Sequence, residues 1–248
     1  MKNKRKNIQV IASSITGVYH KNNSLPCQDY YKYLSCNEKL IAVVSDGAGS
    51  AKYGKIGAKI VCDTLCDILI SASFTDIKQK IIHAIEVARN KLVLHRLNKH
   101  KKENELINFA ATVIGVFYYK NRGIFFHIGD GAAIAFSKEE QNIISQPENG
   151  LFSCETYFYT MDDWKDSLRF TTFEKAESLM LMTDGVTSFA FKNNYEELEN
   201  GFVYPINNFL WQEKSKTKAV KALNNTLSTP KASKLNPDDK TFLWAKLK

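Results

Sequence analysis

The sequence predicts an α+β domain of mainly antiparallel strands covered by helices. Three observations carry that prediction. Apolar segments follow one another as strands, two helices, many strands, a helix and a closing strand. The regular strand–helix–strand alternation that builds parallel sheets is missing. The composition, 44% hydrophobic and 24% charged over 248 residues, is that of a chain able to bury a sizeable core.

In chain order, residues 8–16 alternate as a strand and lead into a turn-rich stretch through Asn22, Asn23 and Pro26. Residues 30–34 and 40–45 read as two strands joined near Asn37 and Glu38. Across 53–70, Ile56, Ile60, Val61, Leu65, Ile68 and Leu69 keep helical spacing. Residues 76–98 do the same with Ile77, Ile81, Ile85, Ala88 and Leu92, and Thr75 is a fitting N-cap. Strands are expected at 112–119, 123–128 and 132–137, the first two joined as a hairpin through Lys120, Asn121, Arg122 and Gly123. Further strands are expected at 168–173 and 178–183, a helix at 213–227 and a last strand at 241–247. With no internal repeat, linker or shift in composition, residues 1–248 are expected to form one domain, 1–7 being a flexible basic N-terminus.

Bulk properties narrow the function classes. The formal charge of +8 is concentrated at Lys2, Lys4, Arg5 and Lys6 and in residues 89–102. That excess favours anionic partners by long-range steering, and it also fits a frayed terminus and a solvated helix end. No run of about eighteen apolar residues exists, and residues 8–12 are too short for a signal peptide. Neither a membrane nor a nucleic-acid partner is expected. The five cysteines form no CxxC pair and are odd in number, which suits a reducing cytoplasm. Cys62 and Cys66 share a helix face and read as buried thiols, no histidine pair standing near them.

The informative feature is where the aspartates fall. Residues 40–45 form a buried-strand run that ends in Asp46-Gly47. A second run, 179–183, ends in Asp184-Gly185, and a third, 125–128, ends in Gly129-Asp130-Gly131. Asp29 and Asp238 stand just before strands. In an antiparallel sheet the end of one strand lies beside the start of its neighbour, so five carboxylates are able to meet along one rim. Clustered carboxylates resist ionising without a cation among them, and magnesium or manganese suits an all-oxygen donor set. Two ions sharing a carboxylate would activate a water and offset charge on a phosphoryl group. Glycine after each aspartate is expected to let the backbone turn sharply there. One Asp-Gly pair is a common turn signal; three at strand ends, with two matching strand starts, are much harder to dismiss.

Residues 49–55 (Gly-Ser-Ala-Lys-Tyr-Gly-Lys) imitate the first seven positions of a phosphate-binding P-loop between a strand and a helix. Ile56 stands where that loop needs a magnesium-binding hydroxyl, and the surrounding strand–helix alternation is lacking. Nucleotide binding is therefore a minor alternative.

Together these pieces resemble the metal-dependent protein phosphatases of type 2C, in particular the compact bacterial branch. The matching segments are Pro26-Cys27-Gln28-Asp29, residues 45–50 around Asp46, His127-Ile128-Gly129-Asp130-Gly131, Thr183-Asp184-Gly185-Val186 and Asp238-Asp239-Lys240-Thr241, spread over residues 8–247. The resemblance implies a four-layer αββα sandwich, two mainly antiparallel sheets flanked by helices, with the metal site at one end. It implies that Asp46 bridges two ions, that the Gly47 carbonyl and Asp29 hold one, and that Asp184 and Asp238 hold the other. Asp130 matches a third, weaker site, and Asp239 is second choice to Asp238. Asp46, Asp184 and Asp29 are the expected catalytic set. The implied reaction is hydrolysis of phosphoserine or phosphothreonine in a phosphoprotein, the product of a serine/threonine kinase, by a metal-bridging hydroxide.

Departures from the family pattern are few. Ser24 stands where many members carry a phosphate-gripping arginine, and His20 and Lys21 are the candidates to replace it. Ala48 replaces a histidine that some members place two residues after the bridging aspartate. His127 reads as a strand residue, and residues 189–211 are expected as a variable flap packed on the core. Loss of the arginine also motivates a second function class, a catalytically weak module that binds phosphoproteins.

Overall fold

The computed structural model describes residues 8–99, 106–138, 141–147, 156–193 and 195–247; the expected flexible segment 1–7 lies outside them. Twelve strands and seven α-helices follow in chain order among the described residues. They are β1 (Gln9–Ile15), α1 (Val18–Asn22), β2 (Tyr30–Cys36), β3 (Lys39–Ser45), α2 (Gly54–Leu69) and α3 (Ile77–Lys99). The central block is β4 (Val113–Tyr119), β5 (Arg122–Ile128), β6 (Ala132–Phe136), β7 (Ile143–Ser145), β8 (Arg169–Glu174) and β9 (Ser178–Met182). The chain closes with α4 (Asp184–Ala190), β10 (Phe191–Lys192), β11 (Glu197–Leu198), α5 (Asn200–Gln212), α6 (Lys216–Leu227), α7 (Pro230–Leu235) and β12 (Lys240–Lys246).

Two five-stranded sheets result, ordered β2-β3-β4-β5-β8 and β1-β12-β9-β6-β7. Every pairing in them is antiparallel. Their facing surfaces bury Leu40, Val44, Val116, Phe125, Leu181 and Leu243 as an inter-sheet core. Helices α2 and α3 cover the outer face of the first sheet through Val61, Leu65, Ile81 and Ile85. Helices α4 to α7 cover the second, where Val186, Val203, Leu210 and Leu223 pack on Trp244 and Met180. The four-layer αββα sandwich is as expected.

Local chemistry explains most boundaries. Asn37 and Glu38 between β2 and β3, and Lys120 and Asn121 between β4 and β5, all have positive φ. Two such residues in succession make the tight turn whose twist matches a hairpin. Ser215 caps α6 by accepting from the Lys218 N–H at 3.3 Å, so the helix expected from 213 begins at Lys216.

Two segments differ from expectation. The stretch after β1 winds into the short helix α1, whose Tyr19 N–H donates to Pro237 O at 3.1 Å. Residues 189–211 are not a flap loop but the end of α4, the β10–β11 hairpin and most of α5. Gly201, Pro205, Asn207 and Asn208 weaken helix propensity there, but Val203 and Leu210, two turns apart on one face, are buried against the sheet. Asn207 Oδ1 also accepts from both Trp244 Nε1 and Ser178 Oγ at 2.8 Å. Tertiary burial overrides a weak local preference. Packing on the core holds for Tyr195, Phe202 and Trp211, whereas Tyr204 and Phe209 are exposed.

Candidate active site

Register alone carries the aspartates to one end of the sandwich. Tyr30 pairs with Ser45 across β2 and β3, so the next step outward sets Asp29 opposite Asp46. In the second sheet the last pair is Ala132 with Met182, and just beyond it Asp130 and Asp184 lie near enough for the Asp130 charge to raise the Asp184 pKa. Phe242 pairs with the same Met182, which brings the start of β12, and the Asp238 just before it, to the same rim.

Asp46 is fixed through its backbone, and Asp29, Asp130 and Asp238 each have one carboxylate oxygen held by a hydrogen bond. Asp46 continues β3 alongside Thr112: its N–H donates to Thr112 Oγ1 at 3.0 Å, and its carbonyl accepts from Thr112 N at 2.9 Å. Asp29 is buried, and its Oδ2 accepts from Thr183 Oγ1 at 2.8 Å. Asp130 Oδ2 accepts from Thr156 Oγ1 at 2.6 Å. Asp238 Oδ1 accepts from the Asp239 N–H at 2.7 Å. What remains is telling: Asp29 Oδ1, Asp130 Oδ1 and Asp184 Oδ1 are buried with no hydrogen-bond partner among the described residues.

The electrostatics follow from that crowding. Burial, then the charges of Asp184, Asp29 and Asp238, push the Asp46 carboxyl well above the usual carboxylate range. Asp184 is driven well up by burial and by Asp130, Asp238 and Asp29. Burial lifts Asp29 to about 7 against hydrogen bonds that favour its charged form. Asp130 is raised by burial too, its Thr156 bond opposing. Anions so arranged call for cations, and a donor set of oxygens alone fits a hard divalent ion. The residues present therefore fit the two-ion site.

Asp239, second choice as a ligand, groups with Asp238 and His20, their donor atoms lying within 4.8 Å of one another, and it is also held by several hydrogen bonds. It is 1% exposed; its Oδ1 accepts from Gly17 N at 2.7 Å and its Oδ2 from Gln28 N at 2.6 Å. His20 Nδ1 lies 2.8 Å from the same Oδ2. Asp239 thus ties the β1–α1 junction and the residue before Asp29 to the residue after Asp238. His20, one of the two candidates for the phosphate grip, is 2% exposed with its ring turned onto Asp239. Lys21, next to it on α1, is exposed. Ser24 is exposed in a left-handed turn at φ 55°.

Other partners were not legible. Lys240 is buried and donates to Asn236 O at 2.6 Å and Asp238 O at 2.8 Å, clasping the loop that carries Asp238. Burial lowers its pKa while the surrounding aspartates oppose that shift. The only sequence signal was a lysine at the start of a largely apolar strand. The Gln28 amide, with its nitrogen turned inward, donates to Gly47 O at 2.7 Å and Ala48 O at 2.9 Å. His127 is a buried strand residue beside Ser145 Oγ at 2.9 Å, kept neutral by burial and by Arg169.

The glycines serve close approach rather than the sharp turn expected of them. Among the described glycines only Gly129 has positive φ. A Cβ on Gly185 would stand 1.8 Å from Asp239 O, and one on Gly47 would stand 2.4 Å from the Gly54 carbonyl carbon. Gly185→Ala is therefore expected to force Asp184 and Asp239 apart, lowering stability by about 1–3 kcal/mol and weakening metal binding. Thermal melts and metal titration of the variant check this; parental values for both would contradict the close packing.

The P-loop imitation finds no support in this setting. Its residues leave the rim and start α2, and the strand before them belongs to an antiparallel sheet.

Fold and site together define a carboxylate-lined centre suited to divalent cations. The chain belongs to the protein phosphatase 2C family, whose model matches residues 16–228, and is a protein phosphatase. The start of β12, with Asp238 and Asp239, lies beyond the matched residues. Among solved structures, the serine/threonine phosphatase Stp1 of Staphylococcus aureus superposes with a TM-score of 0.68 at 14% identity, covering 97% of this chain and 95% of that one. The catalytic domain of the serine/threonine protein phosphatase PstP, in complex with two manganese ions, gives 0.68 at 14%, covering 97% and 98%. RsbX in complex with magnesium gives 0.61 at 14%, covering 99% and 97%. No curated protein matches the chain in sequence.

Proposed function

We propose that this phosphatase removes phosphate from phosphoserine and phosphothreonine in proteins, using two manganese or magnesium ions at the carboxylate rim and a third near Asp130. The observation that carries this reading is the trio of buried, unpartnered oxygens Asp29 Oδ1, Asp130 Oδ1 and Asp184 Oδ1, on aspartates near enough for Asp130 and Asp29 to raise the Asp184 pKa. Support also comes from the family and from the metals named for PstP and RsbX. In this reading Asp46, Asp29 and the Gly47 carbonyl would hold one ion, and Asp184 and Asp238, with Asp46, would hold the other. Divalent ions there supply a water of lowered pKa and positive charge against the phosphoryl oxygens.

The chain's own residues supply the alignment. Thr112 holds Asp46, Thr183 holds one oxygen of Asp29, and Asp239 keeps the Asp29 and Asp238 segments in step. Lys21 is the candidate for the phosphate grip that Ser24 does not provide. The substrates are products of a serine/threonine kinase, and the cytoplasm is the proposed compartment. No helix among the described residues is long and apolar enough to cross a membrane.

A metal series with an aryl phosphate and with phosphopeptides tests the reading. Turnover should appear only with manganese or magnesium. Phosphopeptide binding without turnover at any metal concentration would transfer the function to a binding module.

Metal should also appear in stability. The Asp29 carboxyl sits at about 7 in the fold against an ordinary 3.8. In chelator-stripped protein its protonated form therefore stabilises the fold, fully below about pH 4, and that contribution is lost as pH rises through about 7. Ions bind the deprotonated set, so manganese should raise Tm little at about pH 5 and by about 5–10 °C at about pH 8, at a hundredfold excess over Kd. A pH-independent increment, read by scanning fluorimetry, would contradict this.

A further inference from the structure

Helix α5 carries no charged side chain over its 13 residues, although it lies on the surface. Phe209 is 43% and Tyr204 39% exposed. Between α5 and α6 runs a hollow of about 350 Å³ lined by Phe202, Ile206, Phe209 and Leu223. A second hollow of about 510 Å³ shares Gly201, Phe202 and Thr226 with it and continues to Phe189, Ala232 and Leu235. Leu235 is 59% exposed. A continuous apolar trough of this kind marks an interaction surface.

Its charge says what fits it. Residues 216–235 hold Lys216, Lys218, Lys221, Lys231 and Lys234 and not one carboxylate. Lys216 donates to Tyr33 Oη at 2.8 Å, whereas the other four make no ion pair among the described residues. Lys218 is one helical turn before Ala222, on the row of α6 that lines the trough, and Lys231 lines the far end. The one acidic residue in the lining, Glu199, is engaged in capping α5 through Gly201 N at 3.1 Å.

We propose that this trough docks an acidic amphipathic helix of a partner protein, its apolar face on Phe209, Ile206 and Leu223 and its carboxylates on Lys218 and Lys231. Helix-in-groove docking reads apolar anchors at about three- and four-residue spacing, which an α5–α6 groove matches. A second copy of this chain is disfavoured, because it would bring like charge to a molecule already at +8. The trough also adjoins the rim. Asp184 opens α4, which contributes Phe189, and Asn236 just after α7 donates to Asp184 O at 3.3 Å.

The inference does not rest on the metal reading, and its test measures binding rather than turnover. The probe is a fluorescein-labelled synthetic helix of about four turns, with leucines at i, i+3, i+4 and i+7 and glutamates elsewhere. A control peptide carries lysine in place of every glutamate. The glutamate peptide should bind the full chain with about micromolar Kd and shift amide signals on α5, α6 and α7. Phe209→Glu should abolish binding, and the exposed pair Lys218→Glu with Lys231→Glu should weaken it at least about tenfold, with melts and aryl-phosphate turnover at parental values. Equal binding of the two peptides, no binding of the glutamate peptide, or binding insensitive to Phe209→Glu would overturn the proposal. So would a concentration-dependent dimer that Phe209→Glu dissolves, since the occupant would then be a second copy.

Discussion

Asp46→Ala should lower metal-dependent turnover by at least about 10²–10³-fold, and Asp184→Ala should do the same. The reason is the position of Asp46 between the two sheets' contributions, with Asp29 opposite it in register and Asp184 beside it. Stability supplies the second half of this expected result. The Asp46 carboxyl is pushed well up by burial and by Asp184, Asp29 and Asp238, so in metal-free protein it is a source of repulsion. Its removal should leave the chelator-stripped protein at least as stable as the parent at neutral pH. Activity falls while metal-free stability holds or rises, which is the mark of a residue kept for its ligand. Single-turnover kinetics and melts with and without manganese measure both. Turnover within about tenfold of the parent would remove Asp46 from the proposed centre.

Asp239→Ala is expected to act in the opposite sense, through the fold first. Its carboxylate accepts from Gly17 N and Gln28 N at 2.7 and 2.6 Å while 1% exposed, with His20 Nδ1 2.8 Å away. Truncation strands two buried donors, each costing about 1–3 kcal/mol. A loss of about 3–5 kcal/mol, or about 10 °C in Tm, should follow. Because Gln28 precedes Asp29, and Asp239 N anchors Asp238 Oδ1, metal affinity should weaken as well, with turnover partly restored by excess manganese. Asp239→Asn should be intermediate, having one acceptor oxygen for two donors. Calorimetry paired with metal titration separates the two effects. A stability loss below about 1 kcal/mol would show that other contacts hold this junction.

Regular elements were readable wherever local pattern and tertiary demand agree. The hairpin turns at 37–38 and 120–121, the spacing of α2 and α3, and the apolar runs of β3 and β9 are such cases. Helix α5 was not readable. Its glycine, proline and asparagines argue locally for a loop, and its helix exists because Val203, Leu210 and Asn207 meet a sheet made partly by β12, far along the chain. For the glycines after Asp46 and Asp184 the structure adds a cause that no local pattern carries. A turn is a local property; contact with Gly54 or Asp239 is not.

For the site, the chain's own order determined a great deal. Aspartates at strand ends and strand starts must share a rim once the strands pair antiparallel, because antiparallel pairing sets ends beside starts. Asp29, Asp46, Asp130, Asp184 and Asp238 were assembled by that rule. Tertiary structure alone decided what each oxygen faces. It turned Asp239 inward onto Gly17, Gln28 and His20, buried Lys240 beneath the Asp238 loop, and left Lys21 rather than His20 exposed. Asp238 and Asp239 are neighbours in the loop before β12, and only the packed neighbours Gly17, Gln28 and His20 decide that Asp239 is the one turned inward.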